Sequence, residues 1–174
     1  AAPDETASDM GAAAARQALE RAGVDASEVD AVLVATSTPD SAFPATAARI
    51  QAKLGVTKGF AFDLAAACTG FIYGVGIADA FIRTGQARCV LVIGTEVYSR
   101  ILDWTDRGTC VLFGDGAGAM LLRAGEGEGT TADRGVLSCH MHSDGRLGDI
   151  LHIEGGAGST GGTGLLRMAG KEVF

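Results

Sequence analysis

Ala61-Phe62-Asp63-Leu64-Ala65-Ala66-Ala67-Cys68-Thr69-Gly70-Phe71 runs from an apolar extended pattern into a helical one, with a cysteine at the turn. The first half closes a short strand, Phe60–Leu64. The second opens a long helix over residues 68–84, ended by Gly85. Working outward, the same alternation recurs. Residues 6–22 repeat small and apolar positions at Met10, Ala14, Ala18 and Ala22, an amphipathic helix with Asp4 as N-cap and Gly23 as C-cap. Ala31–Ala35 is a continuous apolar run, a strand buried on both faces. Residues 44–54 read as a helix that opens with proline and closes at Gly55. Residues 89–93 form another buried strand. Residues 111–113 and 117–122 read as strands joined by the turn Gly114-Asp115-Gly116, and residues 135–141 as a further strand. Residues 155–164 form a loop rich in glycine and threonine, and Lys171-Glu172-Val173-Phe174 begins a helix. Strands alternating with helices predict a layered α/β sheet in one domain, without an internal repeat or interdomain linker.

Composition bounds the function. The chain has 174 residues, 47% hydrophobic and 20% charged, as expected of a globular domain with its own core. Its 26 glycines are spread over the ends of apolar runs, which points to tight turns and close backbone approach. A net charge of −7 with no basic stripe argues against nucleic acid as a partner. No apolar run approaches the roughly 20 residues of a membrane span. Cys68, Cys89, Cys110 and Cys139 show no disulfide-scaffold spacing, and with no signal-peptide pattern they read as reduced thiols of a cytoplasmic protein.

Cys68 carries the chemistry. A thiol at a helix N-terminus feels the positive end of the macrodipole, which favours the thiolate. A strand-to-helix elbow presents its residue at the edge of the sheet where ligands bind. Ala65, Ala66, Ala67 and Gly70 leave space for an acyl group and for N–H groups beside a developing oxyanion. The competing reading is a buried structural cysteine, and this suits Cys89, Cys110 and Cys139 better. The helix after Cys68 contains Gly70, Gly74 and Gly76, each up to about 1 kcal/mol less favourable than alanine. A close-packed neighbour, such as a central helix from a second half of the molecule, is the expected reason.

Four motifs share an order and spacing: Ala66-Ala67-Cys68-Thr69-Gly70-Phe71, Thr105-Asp106-Arg107-Gly108-Thr109, Phe113-Gly114-Asp115-Gly116-Ala117-Gly118-Ala119 and Met168-Ala169-Gly170-Lys171-Glu172-Val173-Phe174. Together they resemble β-ketoacyl-acyl carrier protein synthase III, a family of thiolase-fold condensing enzymes. The resemblance runs from Asp4 to Phe174. It implies a thiolase-like αβαβα architecture, of which residues 1–174 form most of the first β-α-β half without its opening strand. A C-terminal half absent from this chain would hold the family's catalytic histidine and asparagine. Cys68 matches the nucleophile. The implied activity loads an acyl group from acyl-coenzyme A onto Cys68 and condenses it with malonyl-acyl carrier protein. This initiates fatty acid or polyketide synthesis in a cytoplasmic homodimer, with no cofactor beyond these substrates. The alternative is a same-fold acyltransferase that passes the acyl group to another acceptor without decarboxylation.

By the same resemblance Arg107, followed by Gly108, contacts the adenine of coenzyme A. From the residues alone an ion pair with Asp103 or Asp106 is the plainer reading. Phe43, just before Pro44, matches a residue that crosses the dimer interface and caps the partner's acyl pocket. Tyr98, Val111, Leu112 and Phe113 match positions near that pocket, and equally suit an ordinary core. Met168 and Gly170 match a loop near the pantetheine tunnel. Thr69 stands where alanine or serine is more familiar. His140 and His142 share one face of their expected strand, with Cys139 and Met141 on the other, and fit no common zinc spacing. Glu96 and Asp115 are expected to fix turns or pair at an interface. Two further classes are weighed against the condensing enzyme. A non-catalytic partner subunit would lack the cysteine. A self-contained cysteine hydrolase would need His140 or His142 within reach of Cys68.

Overall fold

A computed structural model describes residues 1–173; Phe174, the end of the fourth motif, lies outside the described residues. At its centre is β1 (Ala31–Ala35), with all five residues buried. On one edge β1 pairs in parallel with β2 (Phe60–Leu64), from Ala31 opposite Phe60 to Ala35 opposite Leu64. On the other it pairs in parallel with β3 (Cys89–Val97), Ala35 standing opposite Gly94. β4 (Asp115–Arg123) runs antiparallel to β3, so the sheet order is β2-β1-β3-β4.

Side-chain alternation along these strands builds two cores. Val32 and Val34 of β1 and Leu91 and Ile93 of β3 face α1 (Ala7–Ala22) and α2 (Thr46–Leu54), packing on Ala12, Ala15, Leu19 and Ile50. Ala31, Leu33, Val90 and Val92 face α3 (Gly70–Arg83), where Ala78 and Phe81 meet them. The Phe81 ring stands edge-on to Phe60 at 5.2 Å. Each buried Val, Leu or Ile side chain contributes about 1.5–3 kcal/mol. The result is an α/β/α stack, three layers of the expected thiolase-like arrangement.

The helix ends differ from expectation in instructive ways. The N-cap of α1 is Thr6 rather than Asp4, because Thr6 has a carboxylate three residues on. The Asp9 N–H donates to the Thr6 hydroxyl, and the Thr6 N–H donates to Asp9 at 2.9 Å. Gly23 ends the helix in the left-handed conformation, φ 62°. α2 starts at Thr46, after Pro44, and its N-cap Ala45 has no capping side chain. Asp63 of β2 serves instead, accepting the Thr46 and Ala47 N–H groups at 2.7 Å each. α3 starts at Gly70 rather than Cys68, which lies in a preceding 3₁₀ turn, Ala67–Thr69.

The α3 glycines are explained within the chain. A Cβ at Gly70 would lie 2.9 Å from the Ala35 Cβ, and one at Gly74 would lie 2.9 Å from Val92 Cγ1. At Gly76 it would meet the Cys139 sulfur at 2.7 Å. The close neighbours within this chain are the sheet and a passing loop.

Beyond β3 several expectations change. Residues 111–113 form turns within the β3–β4 connection, and Asp115 and Gly116 open β4 instead of forming a turn. Asp115 pins that start by accepting the Ser99 N–H at 2.8 Å and the Ser99 hydroxyl at 2.7 Å. Residues 135–141 are irregular, not a strand, and lie against α3 instead of pairing with the sheet. The Val136 carbonyl accepts from Arg83, Cys139 sits on Gly76, and the His142 carbonyl accepts from the Tyr73 hydroxyl at 2.8 Å. His140 and His142 therefore share no strand face. The loop expected at 155–164 is the bend of a hairpin, β5 (Leu151–Gly156) and β6 (Gly162–Met168), whose glycines hide the strand pattern. α4 (Gly170–Val173) follows as expected.

Asp63→Ala is expected to destabilise the protein by about 1–3 kcal/mol by orphaning two helix N–H groups. Urea unfolding would show this as a lowered midpoint with an unchanged slope, and Asp63→Asn would recover part of it.

Candidate active site

Three connections leave the C-terminal ends of the parallel strands, the edge where open α/β sheets bind ligands. They follow β1 (residues 36–45), β2 (residues 65–69) and β3 (residues 98–114).

The β2 connection holds Cys68, which is exposed, unlike buried Cys89 and the partly buried Cys110 and Cys139. The residue before it, Ala67, has φ 45°, and among the described residues it is the one non-glycine with positive φ. Such a conformation costs about 1–3 kcal/mol and persists only where the surroundings enforce it. Here it turns the chain abruptly from strand to helix and lifts the cysteine out of the sheet. Gly70, pressed on Ala35, lets α3 begin directly over β1.

The β1 connection is anchored by Glu96, near the end of β3. Its carboxylate accepts the Ser37 N–H at 2.8 Å and the Thr38 hydroxyl at 2.6 Å. The Thr38 hydroxyl in turn accepts the Val97 N–H at 2.8 Å. Glu96 thus fixes a turn, as expected of it. Farther along this connection Phe43 is 85% exposed and precedes Pro44 through a cis peptide bond.

The β3 connection begins with Tyr98, whose ring packs on Phe113 with centroids 5.5 Å apart. Burial pushes the Tyr98 phenol above its ordinary range. The Ser37 side chain beside it opposes this, while Glu96 and Cys68 add to it. Val111 and Leu112 are exposed apolar residues of the same connection. Arg107 is exposed too, and neither expected carboxylate pairs with it. Asp103 accepts from Thr105 and pairs with Arg167 at 3.1 Å, and Asp106 accepts the Gly108 N–H at 3.0 Å and the Thr109 hydroxyl. Among the described residues Arg107 makes no ion pair.

Met168 lies at the end of β6, opposite Leu151, with Gly170 just after it. The hairpin is docked on the β3 connection, the Leu166 N–H donating to the Ile101 carbonyl at 2.8 Å. Arg167 spans Asp103 and Glu154. No described hydrogen bond joins Met168 or Gly170 to Cys68, and none joins either imidazole, His140 or His142, to its sulfur. The Ala67 strain had no glycine to signal it, and the anchoring role of Asp63 depends on a contact distant in sequence. Among the described residues no cluster of His, Cys, Asp or Glu is gathered to hold a metal ion.

A family model described as 3-Oxoacyl-[acyl-carrier-protein (ACP)] synthase III matches residues 62–145, which include Cys68, Arg107 and Phe113. All 174 residues align at 67% identity with 53% of a β-ketoacyl-[acyl-carrier-protein] synthase III of Acidiphilium cryptum. The chain is thus similar along its whole length to about half of a 3-oxoacyl-[acyl-carrier-protein] synthase III. A second relative of the same name, from Rhodospirillum centenum, is 63% identical over the whole chain and 54% of its own length. The chain thus spans about half the length of the curated relatives it matches. Among solved structures of the synthase III family, one from Pseudomonas aeruginosa PAO1 superposes with a TM-score of 0.89 at 42% identity, over 99% of this chain and 51% of that one. The priming β-ketosynthase of the R1128 polyketide pathway gives 0.83 at 36% identity, over 99% and 52%.

The Tyr98 environment yields a pH test. Tyrosine-selective ring NMR, with the resonance assigned by its loss in Tyr98→Phe, is expected to show a midpoint above the ordinary phenol value of 10.0. Glu96→Gln should lower that midpoint without abolishing the elevation, because burial is its main cause. A midpoint at or below the ordinary value would place the phenol in water.

Proposed function

We propose that the protein carrying this chain is a condensing acyltransferase with Cys68 as its nucleophile. The observation that carries the reading is an exposed cysteine, held on a strained elbow at the ligand-binding edge, in a chain 67% identical to a synthase III. The Cys68 sulfur attacks the thioester carbonyl of acyl-coenzyme A. A new C–S bond forms, the old one breaks, and coenzyme A leaves with the thiol proton. Malonyl-acyl carrier protein then loses carbon dioxide, and its carbanion attacks the acyl-Cys68 carbonyl. A C–C bond forms, Cys68 is released, and the product is β-ketoacyl-acyl carrier protein.

The elbow suits both tetrahedral intermediates. Among the described residues the Cys68 N–H has no hydrogen-bonded acceptor, so an N–H is at hand for an oxyanion. The exposed guanidinium of Arg107 is open to stacking on adenine, with Gly108 giving clearance beside it. Tyr98 and Phe113, with Leu112, form one wall of an acyl pocket, and Met168 and Gly170 flank the pantetheine path. Phe43 extends from the same edge, which suits a cap over the pocket of a second copy in a homodimer. The printed names of the relatives support decarboxylative condensation and offer nothing for transfer to another acceptor. The polyketide-priming neighbour keeps both fatty acid and polyketide initiation within the reading.

Residues 1–174 are read as part of an N-terminal thiolase-like domain, with enolate stabilisation supplied by a histidine and an asparagine of a second half. The two substrates suffice without a cofactor. No helix among the described residues is long and apolar enough to cross a membrane, and the net charge of −7 with no basic stripe gives nucleic acid no footing. A cytoplasmic setting accords with the four free thiols.

Incubation with acyl-coenzyme A should increase the intact mass by one acyl group, lost in Cys68→Ser together with condensation. Retention of most activity by Cys68→Ser would remove Cys68 from the mechanism. Arg107→Ala is expected to raise KM for acyl-coenzyme A by roughly an order of magnitude, with turnover of a short thioester lacking the nucleotide nearly unchanged. Equal slowing with both donors would give Arg107 a purely structural role.

A further inference from the structure

We propose that Thr69 is the positioning residue for Cys68, its hydroxyl holding the strained turn that aims the thiol. This rests on the reading of Cys68 as nucleophile. The Ala66 carbonyl accepts twice from Thr69, from the hydroxyl at 2.8 Å and from the N–H at 3.2 Å. The two bonds bracket Ala67 and Cys68, the residue with positive φ and the cysteine after it.

Thr69 stands at the N-cap of α3, where a threonine hydroxyl ordinarily accepts an N–H from the helix's first turn. It makes no such bond here. The hydroxyl donates backward to the elbow instead, while the Gly70 N–H bonds to the Ala67 carbonyl. Helix capping therefore does not explain the residue. No neighbour could replace it in the elbow, since Ala65, Ala66 and Ala67 carry only methyl groups. On the far side Gly70 is seated against Ala35, so α3 is fixed and the turn before it is the remaining freedom. Without the hydroxyl the Ala66 carbonyl keeps one donor instead of two, and Ala67 can relax toward negative φ. That rotation would swing the sulfur away from the direction the turn now gives it.

The test uses the full-length enzyme with Thr69→Val, which keeps the shape and loses the hydroxyl, and Thr69→Ser, which keeps the hydroxyl. Single-turnover acylation by acyl-coenzyme A is expected to slow about tenfold or more in Thr69→Val, with KM changed by less than about twofold, since misplacing a reacting group lowers the rate and not the affinity. Thr69→Ser should restore the wild-type rate. Thr69→Ala, which adds no bulk, should repeat the loss and takes the place of valine if that variant does not fold. Wild-type acylation in the hydroxyl-free variants overturns the proposal, as does a change confined to KM, or a serine variant as slow as alanine. Peptide mapping of the acylated wild type separates the two readings. An adduct on a residue other than Cys68 overturns the nucleophile and the proposal together, whereas a Cys68 adduct with an indifferent Thr69 overturns the proposal alone.

Discussion

The parallel pairing of β1 on both of its edges sets everything else. Ala31–Ala35 is covered above and below and hydrogen-bonded left and right, so it has no freedom to shift. A one-residue slip would send Val32 and Val34 from the α1–α2 side to the α3 side and empty both cores. With β1 fixed, the ends of β2 and β3 are fixed on either side, at Leu64 and Gly94 opposite Ala35. Cys68 and Tyr98 each lie four residues beyond those points. The site is assembled from segments far apart in sequence because one buried strand aligns their starting points.

Polar groups then do at the rim what apolar burial does inside. Glu96 ties the β1 connection to β3, Asp115 ties the start of β4 to Ser99, and Asp63 caps a helix that has no cap of its own. Each is a carboxylate receiving two or more donors, an arrangement that fixes direction as well as distance. The connections that carry function are thereby held nearly as firmly as the strands.

Much of this was legible in the residues. β1 and β2 match the strands read from the sequence, and β1, buried on both faces, leaves an uninterrupted apolar signature. Cys68 was visible through the strand-to-helix change around it. What escaped notice was set by tertiary context. The apolar alternation of residues 135–141 serves packing on α3, and pattern alone cannot tell a helix surface from a sheet partner. The glycines of residues 155–164 masked a hairpin. The α3 glycines were read as close approach, but their neighbours in this chain, the sheet and a loop, could not be named, since the sheet beneath a helix leaves no mark in the helix's own sequence. Ala67 was silent because strain at a non-glycine is imposed from outside.

Asp63 has a meaning for how such a protein can change over time. It lies on β2, five residues before Cys68, and it grips the helix that the Phe43 segment enters. One carboxylate is thus the seam between the Phe43 segment and the segment that bears the thiol. Between Asp40, which holds the Ser8 N–H, and Thr46 the stretch can trade side chains while the seam returns α2 to the same seat. The two segments can change independently on such a frame, and a designer exchanging loops here would cut on the outer side of that carboxylate.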